Sequence, residues 1–436
     1  MHLGNLLFNN ISPKQTFFKN SFWLFLSQGL SRLFKLVLII ISARILNPAG
    51  FGTFNYILSI ASFFFMAADW GVSSLIIREY QQSEQKEKYI QTGFLFRIIS
   101  TSLCLVAAFV GIFFFESPEF RINFIILSIY LFIANIKDFF IAFLRAMQKM
   151  EKEFIVIFME GFFVMAFSVF LILIHRNIIS LSVGYLLGVL MSFITAALLV
   201  KSYKTYLKPQ FDKKLFLQII KDGFPLLLGG VASFLLFSTD QIILGKMRSV
   251  TEVGYYSLVT KGISIINLVP LLIMIAIFPY LSAIIKNKEK IKTITNKSLL
   301  SLFVLALVVA ILVFFLAPLI TFFVGKDYEP SIALAQYLIW IILFVFPATY
   351  LSYLYLSYNK QSQAFYIVLI SGIVNLVLNF ILIPKHGIYG AATASIIAQF
   401  INFILLLIFS RKLSKESPKS IDINEIPISK SISDSN

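Results

Sequence analysis

The sequence predicts an all-α polytopic membrane protein, with about twelve transmembrane helices in two pseudo-symmetric six-helix bundles around a central cavity. Three observations carry that expectation. The first is composition: 58% of the 436 residues are hydrophobic and 13% are charged, and 48 are phenylalanine. A soluble domain is about 25% charged, and so many Phe side chains suit lipid-facing helices better than one soluble core. The second is a succession of apolar runs, each near the roughly 20 residues that cross a bilayer as a helix. The third is an internal repeat whose two copies would each contain six such runs.

The first run, 22–42, carries a polar stripe: Gln28, Arg32 and Lys35 follow at i, i+4 and i+7, so one helix face holds all three. Run 54–77 contains Asp69, and run 92–115 contains Arg97 about one turn inside its end. The fourth, 122–146, has adjacent Lys137 and Asp138, and the fifth, 154–174, has Glu160. A very short turn, His175-Arg176-Asn177, separates it from the sixth, 178–200. The seventh, 217–244, holds Asp240, and the eighth, 254–284, holds Lys261. Run 298–323 is the ninth, and the tenth, 332–356, ends in Tyr350, Tyr353, Tyr355 and Tyr358, an interfacial aromatic belt. In the eleventh, 364–383, Ser371, Asn375 and Asn379 recur every four residues and form one polar face. A second very short turn, Pro384-Lys385-His386, leads to the twelfth, 387–410. Connections are short throughout, which leaves no extramembrane domain to house a catalytic site.

Basic residues orient the chain. With both termini cytoplasmic, the cytoplasmic segments hold 25 Lys and Arg and the opposite loops hold seven; the other five, Arg32, Lys35, Arg97, Lys137 and Lys261, lie inside spans. Basic loops against an anionic inner leaflet account for the +16 net charge without any nucleic-acid partner. Residues 1–20 contain no cleavable signal peptide, so the first span is expected to be the targeting signal. The single cysteine, Cys104, excludes an intramolecular disulfide framework. His175 and His386 sit at span ends, and neither a metal site nor a cofactor is expected.

The repeat aligns Arg44 to Phe54 with Lys246 to Tyr256 at an offset of 202, and Gln148-Lys149 with Asn359-Lys360 at an offset of 211. It divides the chain into an N-terminal bundle, 1–210, a C-terminal bundle, 211–412, and a disordered cytoplasmic tail, 413–436. Six spans per copy give both bundles one orientation. Two parallel bundles suit alternating access, with cargo held between them.

Arg32 and Lys35 would lie near mid-depth in the bilayer. A charge there costs at least ~2.5–3.5 kcal/mol and normally faces a protein interior or a wet cavity. Cations on such a stripe point to an anionic cargo.

Several segments carry a family resemblance. Ala43-Arg44-Ile45-Leu46-Asn47-Pro48-Ala49-Gly50-Phe51-Gly52 resembles the loop after the first helix of polysaccharide flippases, which read approximately A-R-x-L-G-P-x-x-F-G-x-Y. Asn47 replaces the usual Gly and Phe54 the usual Tyr. Asp69-Trp70-Gly71-Val72, Pro225, Asp240, Val253-Gly254-Tyr255-Tyr256-Ser257, Phe278-Pro279-Tyr280-Leu281-Ser282 and Ile383 to Ala392 are similar to further elements of that family. The resemblance covers residues ~20–410 and is to the Wzx-type O-antigen and capsule-repeat flippases of the multidrug/oligosaccharidyl-lipid/polysaccharide exporter superfamily.

What it implies is export of undecaprenyl-diphosphate-linked oligosaccharide from the cytoplasmic to the periplasmic leaflet of the bacterial inner membrane. The product would feed O-antigen, lipopolysaccharide or capsule assembly, with polysaccharide polymerase and chain-length machinery as partners. Arg grips a diphosphate bidentately and Lys acts as a point charge, so Arg32, Lys35 and Lys261 are the expected diphosphate ligands. Gln28, Asn375 and Asn379 offer amides to the glycan, and Asp69 and Asp240 are candidates for coupling to H+ or Na+.

Each residue also has a structural reading. Arg97 is expected to snorkel to the interface, and Lys137-Asp138 to compensate other intramembrane charges. Arg32 and Lys35 would instead pair with Asp69, Asp138 or Glu160; Asp240 would pair with Lys261; Asn375 and Asn379 would join helices. Among function classes, a drug/cation antiporter shares the twelve-span plan but not the basic cavity. A membrane polymerase or ligase would need a large outward loop and clustered acid–base groups, which this chain lacks.

Overall fold

The computed structural model describes residues 13–82, 85–115, 117–285 and 287–413. Among them are fifteen α-helices, four short 3-10 turns and no strand. The tail expected to be disordered, apart from Leu413, and the N-terminal residues before Pro13 lie outside the described residues.

Helix α1 (Pro13–Phe65) runs for 53 residues but is broken at Asn47, whose φ of 57° is left-handed, just before Pro48. The residue before a proline is disfavoured in the α region, and proline itself suits the first turn of a new helix. One long helix therefore makes two crossings, as the separate runs 22–42 and 54–77 predict. The second stops at Phe65, earlier than the expected residue 77, because Trp70 and Gly71 both have positive φ (47° and 75°). Asp69 then caps α2 (Val72–Gln82), its Oδ1 accepting from Ser73 Oγ at 2.6 Å and Ser73 N at 3.2 Å. Next come α3 (Lys86–Gly111), α4 (Pro118–Ala146), α5 (Met150–His175) and α6 (Ile178–Val200). The short turn between α5 and α6 is real: Arg176 has φ 44°, and Asn177 accepts from Ser180 N at 2.8 Å.

Breaks also divide the later runs. Span 217–244 is α7 (Lys213–Phe237) followed, after Ser238, by α8 (Thr239–Met247). Span 254–284 is α9 (Val250–Ile266) and α10 (Leu268–Ile284), interrupted at Asn267, since Pro270 has no N–H for the carbonyl four residues before it. Then follow α11 (Lys288–Leu316), α12 (Leu319–Val324), α13 (Pro330–Leu338), α14 (Ile342–Ser357) and α15 (Gln361–Leu413), the last broken at Gly387 with φ 54°. Ten helical stretches are long and apolar enough to cross a membrane. Two of them, of 48 and 51 residues, exceed the length of a single crossing about twofold and contain the breaks at Asn47 and Gly387. The described residues therefore hold twelve crossings, and the chain is a multi-pass membrane protein.

The repeat recurs in backbone geometry. Gln148 and Asn359, 211 residues apart, have φ of 57° and 56°. The N–H groups of Lys149 and Lys360 close the same helix-ending bond, to Leu144 O at 3.0 Å and to Tyr355 O at 2.9 Å. Arg176 and Gly387, at the same offset, are both left-handed. The 202-offset copies meet each other. A Cβ on Gly52 would lie 1.8 Å from Val250 O, and one on Gly254 would lie 2.0 Å from Pro48 O. Positions 48 and 52 thus touch their own repeats, 250 and 254, at a crossing only glycine permits.

Burial also links the two halves of the chain. One apolar cluster lies wholly within residues 243–406, another within 72–219, and a third joins residues 38–181 to Leu258, Val324 and Tyr328. Large apolar side chains also cover the outside: Phe113 is 81% exposed, Phe322 74% and Phe315 73%. Such a surface is tolerable only where lipid covers it.

Candidate functional site

A cavity of about 370 Å³ lies between α1, the α7–α8 break, α9, α13, α14 and the second half of α15. Its polar lining is Arg32, Asp240, Gln241, Tyr256, Thr260, Lys261, Ser264, Asn267, Ser395 and Gln399. Arg32 reaches it from α1 and donates from Nη1 to Ser264 O at 3.1 Å. Ser264 sits in the last turn of α9, where carbonyls lack intrahelical donors and a cation is favoured. Lys261 reaches the same space from α9, and Lys35, one turn beyond Arg32, is exposed within electrostatic reach of Lys261 and Glu160.

Among the described residues no carboxylate lies within 4.0 Å of Arg32, Lys35 or Lys261. The ion pairs considered for Arg32 and Lys35 with Asp69, Asp138 or Glu160 are not formed. The reason is that those acids already serve other cations. Asp69 accepts from Arg97, and Lys137 bonds Glu160 and lies 3.2 Å from Asp138. The compensating role expected of Lys137-Asp138 is observed. Arg97, by contrast, does not snorkel: it is 2% exposed, holds Asp69 and donates from Nε to Asn135 O at 2.9 Å. A carboxylate and a carbonyl at that depth replace the water it would otherwise seek. Asp69 therefore stands outside the cavity, as a helix cap and an Arg97 partner.

Asp240 is different. It is 4% exposed and placed by the α7–α8 break, and it lines the cavity floor. Tyr256 Oη donates to it from α9, Ser395 Oγ from α15 at 2.8 Å, and Asn379 Nδ2 from α15 at 3.0 Å. All three donors are neutral, and the pairing with Lys261 is not formed. Asn375 and Asn379 are fully buried behind the cavity, their amides 2.8 Å apart. In this conformation they bind the Asp240 network and do not line this cavity, as the helix-joining reading expects. Asn379 Oδ1 is a buried acceptor with no partner among the described residues. Gln28 is half-buried and does not line the cavity.

The structure thus brings Arg32, Lys261 and Asp240 together, with Asn375 and Asn379 one layer behind. Sequence reading missed Tyr256, Thr260, Ser264, Ser395 and Gln399, although a signal was there. Tyr256, Thr260 and Ser264 recur every four residues, as do Ser395 and Gln399, the spacing of a helix face.

Comparison with known proteins agrees with this architecture. The family model described as "Polysaccharide biosynthesis protein" matches residues 17–285, more than half of the chain, and the MatE model matches residues 225–381. A capsular polysaccharide biosynthesis protein, CapF of Staphylococcus aureus, is 23% identical, the match covering 91% of this chain and 99% of CapF. Among solved structures, the lipid II flippase MurJ in an inward closed conformation superposes with TM-score 0.72 at 19% identity, over 90% of this chain and 87% of that one. An inward-facing multidrug resistance MATE transporter superposes with TM-score 0.65 at 13% identity, over 95% and 97%. With the MurJ-like and MATE-like transporter fold and the family model matched across the first cavity-forming helices, the chain belongs to the polysaccharide biosynthesis protein family.

Proposed function

We propose that this protein is a flippase for polyprenyl-diphosphate-linked oligosaccharide, moving undecaprenyl-diphosphate repeat units from the cytoplasmic to the periplasmic leaflet of the bacterial inner membrane. The observation that carries the reading is the cationic cavity: Arg32 and Lys261, which line it, and Lys35, within electrostatic reach of Lys261, have no carboxylate within ion-pair distance among the described residues. Cations left unneutralised inside a membrane protein are costly unless a ligand supplies the charge. A diphosphate supplies it, and the relatives named for polysaccharide biosynthesis and lipid II flipping support that choice.

The same proposal assigns residues 1–210 and 211–412 to two bundles that rock about the central cavity, with both termini cytoplasmic. The Gly52–Gly254 crossing would then seal the periplasmic end, leaving the cavity reachable from the cytoplasmic side. Asp240 is the proposed coupling residue. A buried carboxylate bonded by neutral donors lacks a counter-charge, which H+ or Na+ would supply.

In proteoliposomes given polyprenyl-diphosphate oligosaccharide, Arg32→Ala and Lys261→Ala should each slow flipping about tenfold, the loss of one charge-assisted contact. Unchanged transport in the double variant, with folding intact, would make these cations structural. The MatE match favours one competing reading, a drug/cation antiporter. Like charge in the cavity opposes it, and ethidium transport by a wild type that ignores the lipid donor would establish it.

A further inference from the structure

Beside the polar cavity lies a second one of about 330 Å³ whose lining is almost wholly apolar, including Leu36, Ile39, Gly262, Ile266, Leu316 and Ile339. Four features connect it with the first. Ile263 lines both cavities. On α1, Leu36 follows Arg32 by one turn, and Ile39 lies about 10 Å from Arg32 along the helix toward Asn47. On α9, Lys261 faces the polar cavity while its neighbour Gly262 faces the apolar one. The rim includes Leu316, 54% exposed, and Phe323, 48% exposed, so the apolar cavity meets the lipid-facing surface.

We infer that this apolar cavity holds the diphosphate-proximal isoprene units of the polyprenyl chain while the diphosphate occupies the Arg32–Lys261 cavity. The inference rests on the flippase reading and deepens it, since the tail would otherwise simply remain in lipid. An anionic head joined covalently to a hydrocarbon is the ligand that fills a cationic and an apolar cavity sharing one wall. Holding the first isoprenes gives them fixed packing contacts that fluid lipid does not supply, and it fixes the head against Arg32. It also makes tail identity a determinant of recognition, separate from the sugars.

Gly262 supplies the test. A Cβ there meets no atom within 4 Å, so a larger side chain enters the void without displacing backbone. Binding of undecaprenyl diphosphate to Gly262→Phe in detergent should weaken about tenfold or more, equivalent to losing roughly two buried methylenes. Binding of inorganic diphosphate should be unchanged. In proteoliposomes, an undecaprenyl diphosphate probe with a diazirine in its first isoprene should label Leu316 or Ile339 of the wild type. Unlabelled undecaprenyl diphosphate should displace it, and phosphatidylglycerol should not. Equal loss of both ligands in Gly262→Phe, or no loss of either, overturns the inference. So does labelling confined to lipid-facing residues outside this cavity, which would leave the tail in lipid, or labelling displaced by phosphatidylglycerol, which would assign the cavity to ordinary acyl chains. A wild type that binds neither diphosphate overturns the flippase reading itself.

Discussion

At the scale of single residues, charge in the membrane is sorted by whether it has a partner. Arg97 and Lys137 are each buried and each bonded to an acid, Asp69 and Glu160 respectively; Lys19, just before the first expected span, is likewise buried against Glu151. Removing one member of such a pair strands the other, a loss of about 3–5 kcal/mol, so these pairs belong to stability. Arg32, Lys261 and Asp240 share a cavity and form no pair with one another, which is the arrangement expected of groups that wait for a ligand. If Asp240 takes a sodium ion, sodium chloride should raise the thermal midpoint of the detergent-solubilised protein relative to choline chloride, because a ligand bound only to the native state stabilises it. Asp240→Asn should remove that difference. A midpoint that ignores sodium in the wild type would leave protonation as the coupling route.

At the scale of helices, the breaks matter more than the runs. Asn47-Pro48 and Gly387 divide helices where the apolar runs already part, whereas Ser238 and Asn267 interrupt stretches that hydropathy alone reads as continuous. Two of them build the site: the Ser238 break sets Asp240 at the cavity floor, and the Asn267 break leaves the Ser264 carbonyl for Arg32. The Gly52–Gly254 crossing is the other decisive element. A Cβ at either position would overlap a carbonyl of the opposing helix, so Gly52→Ala should force α1 and α9 apart. Overpacking of this kind costs about 1–3 kcal/mol, measurable as a lower thermal midpoint. It should also increase the reactivity of a cysteine placed at Tyr255 toward a membrane-impermeant thiol reagent from the periplasmic side. Unchanged stability and labelling would show that the crossing does not seal that end.

At the scale of the whole molecule, an even number of crossings and the bias in basic residues support the proposal that both termini are cytoplasmic. Green fluorescent protein fused after Arg411 should fluoresce in cells, whereas alkaline phosphatase at the same junction should be inactive. The opposite pattern would invert the topology and with it the direction of transport. Alternating access, as proposed, would also give the repeat a physical purpose. Turns of the same backbone shape at Gln148 and Asn359, and at Arg176 and Gly387, let two similar bundles meet across one cavity.

Much of this protein was legible in its residues. Apolar length determined the crossings, because the bilayer imposes one spacing on every helix. The repeat was visible through its turn residues, Asn47-Pro48, Gln148-Lys149 and Asn359-Lys360, since left-handed or proline-bound positions restrict which side chains fit. Arg32, Lys261 and Asp240 stood out because charge within an apolar run is expensive. Pairing was not legible. Arg97 and Arg32 look alike in sequence, and only the fold brought Asp69 and Asn135 to one and left the other facing a cavity. Asn375 and Asn379 looked like a glycan face until the packing of α15 against α8 turned them onto Asp240. Local sequence determines where a polar group sits along its helix; which group it meets depends on contacts between helices more than a hundred residues apart, and those were decided by the tertiary structure alone.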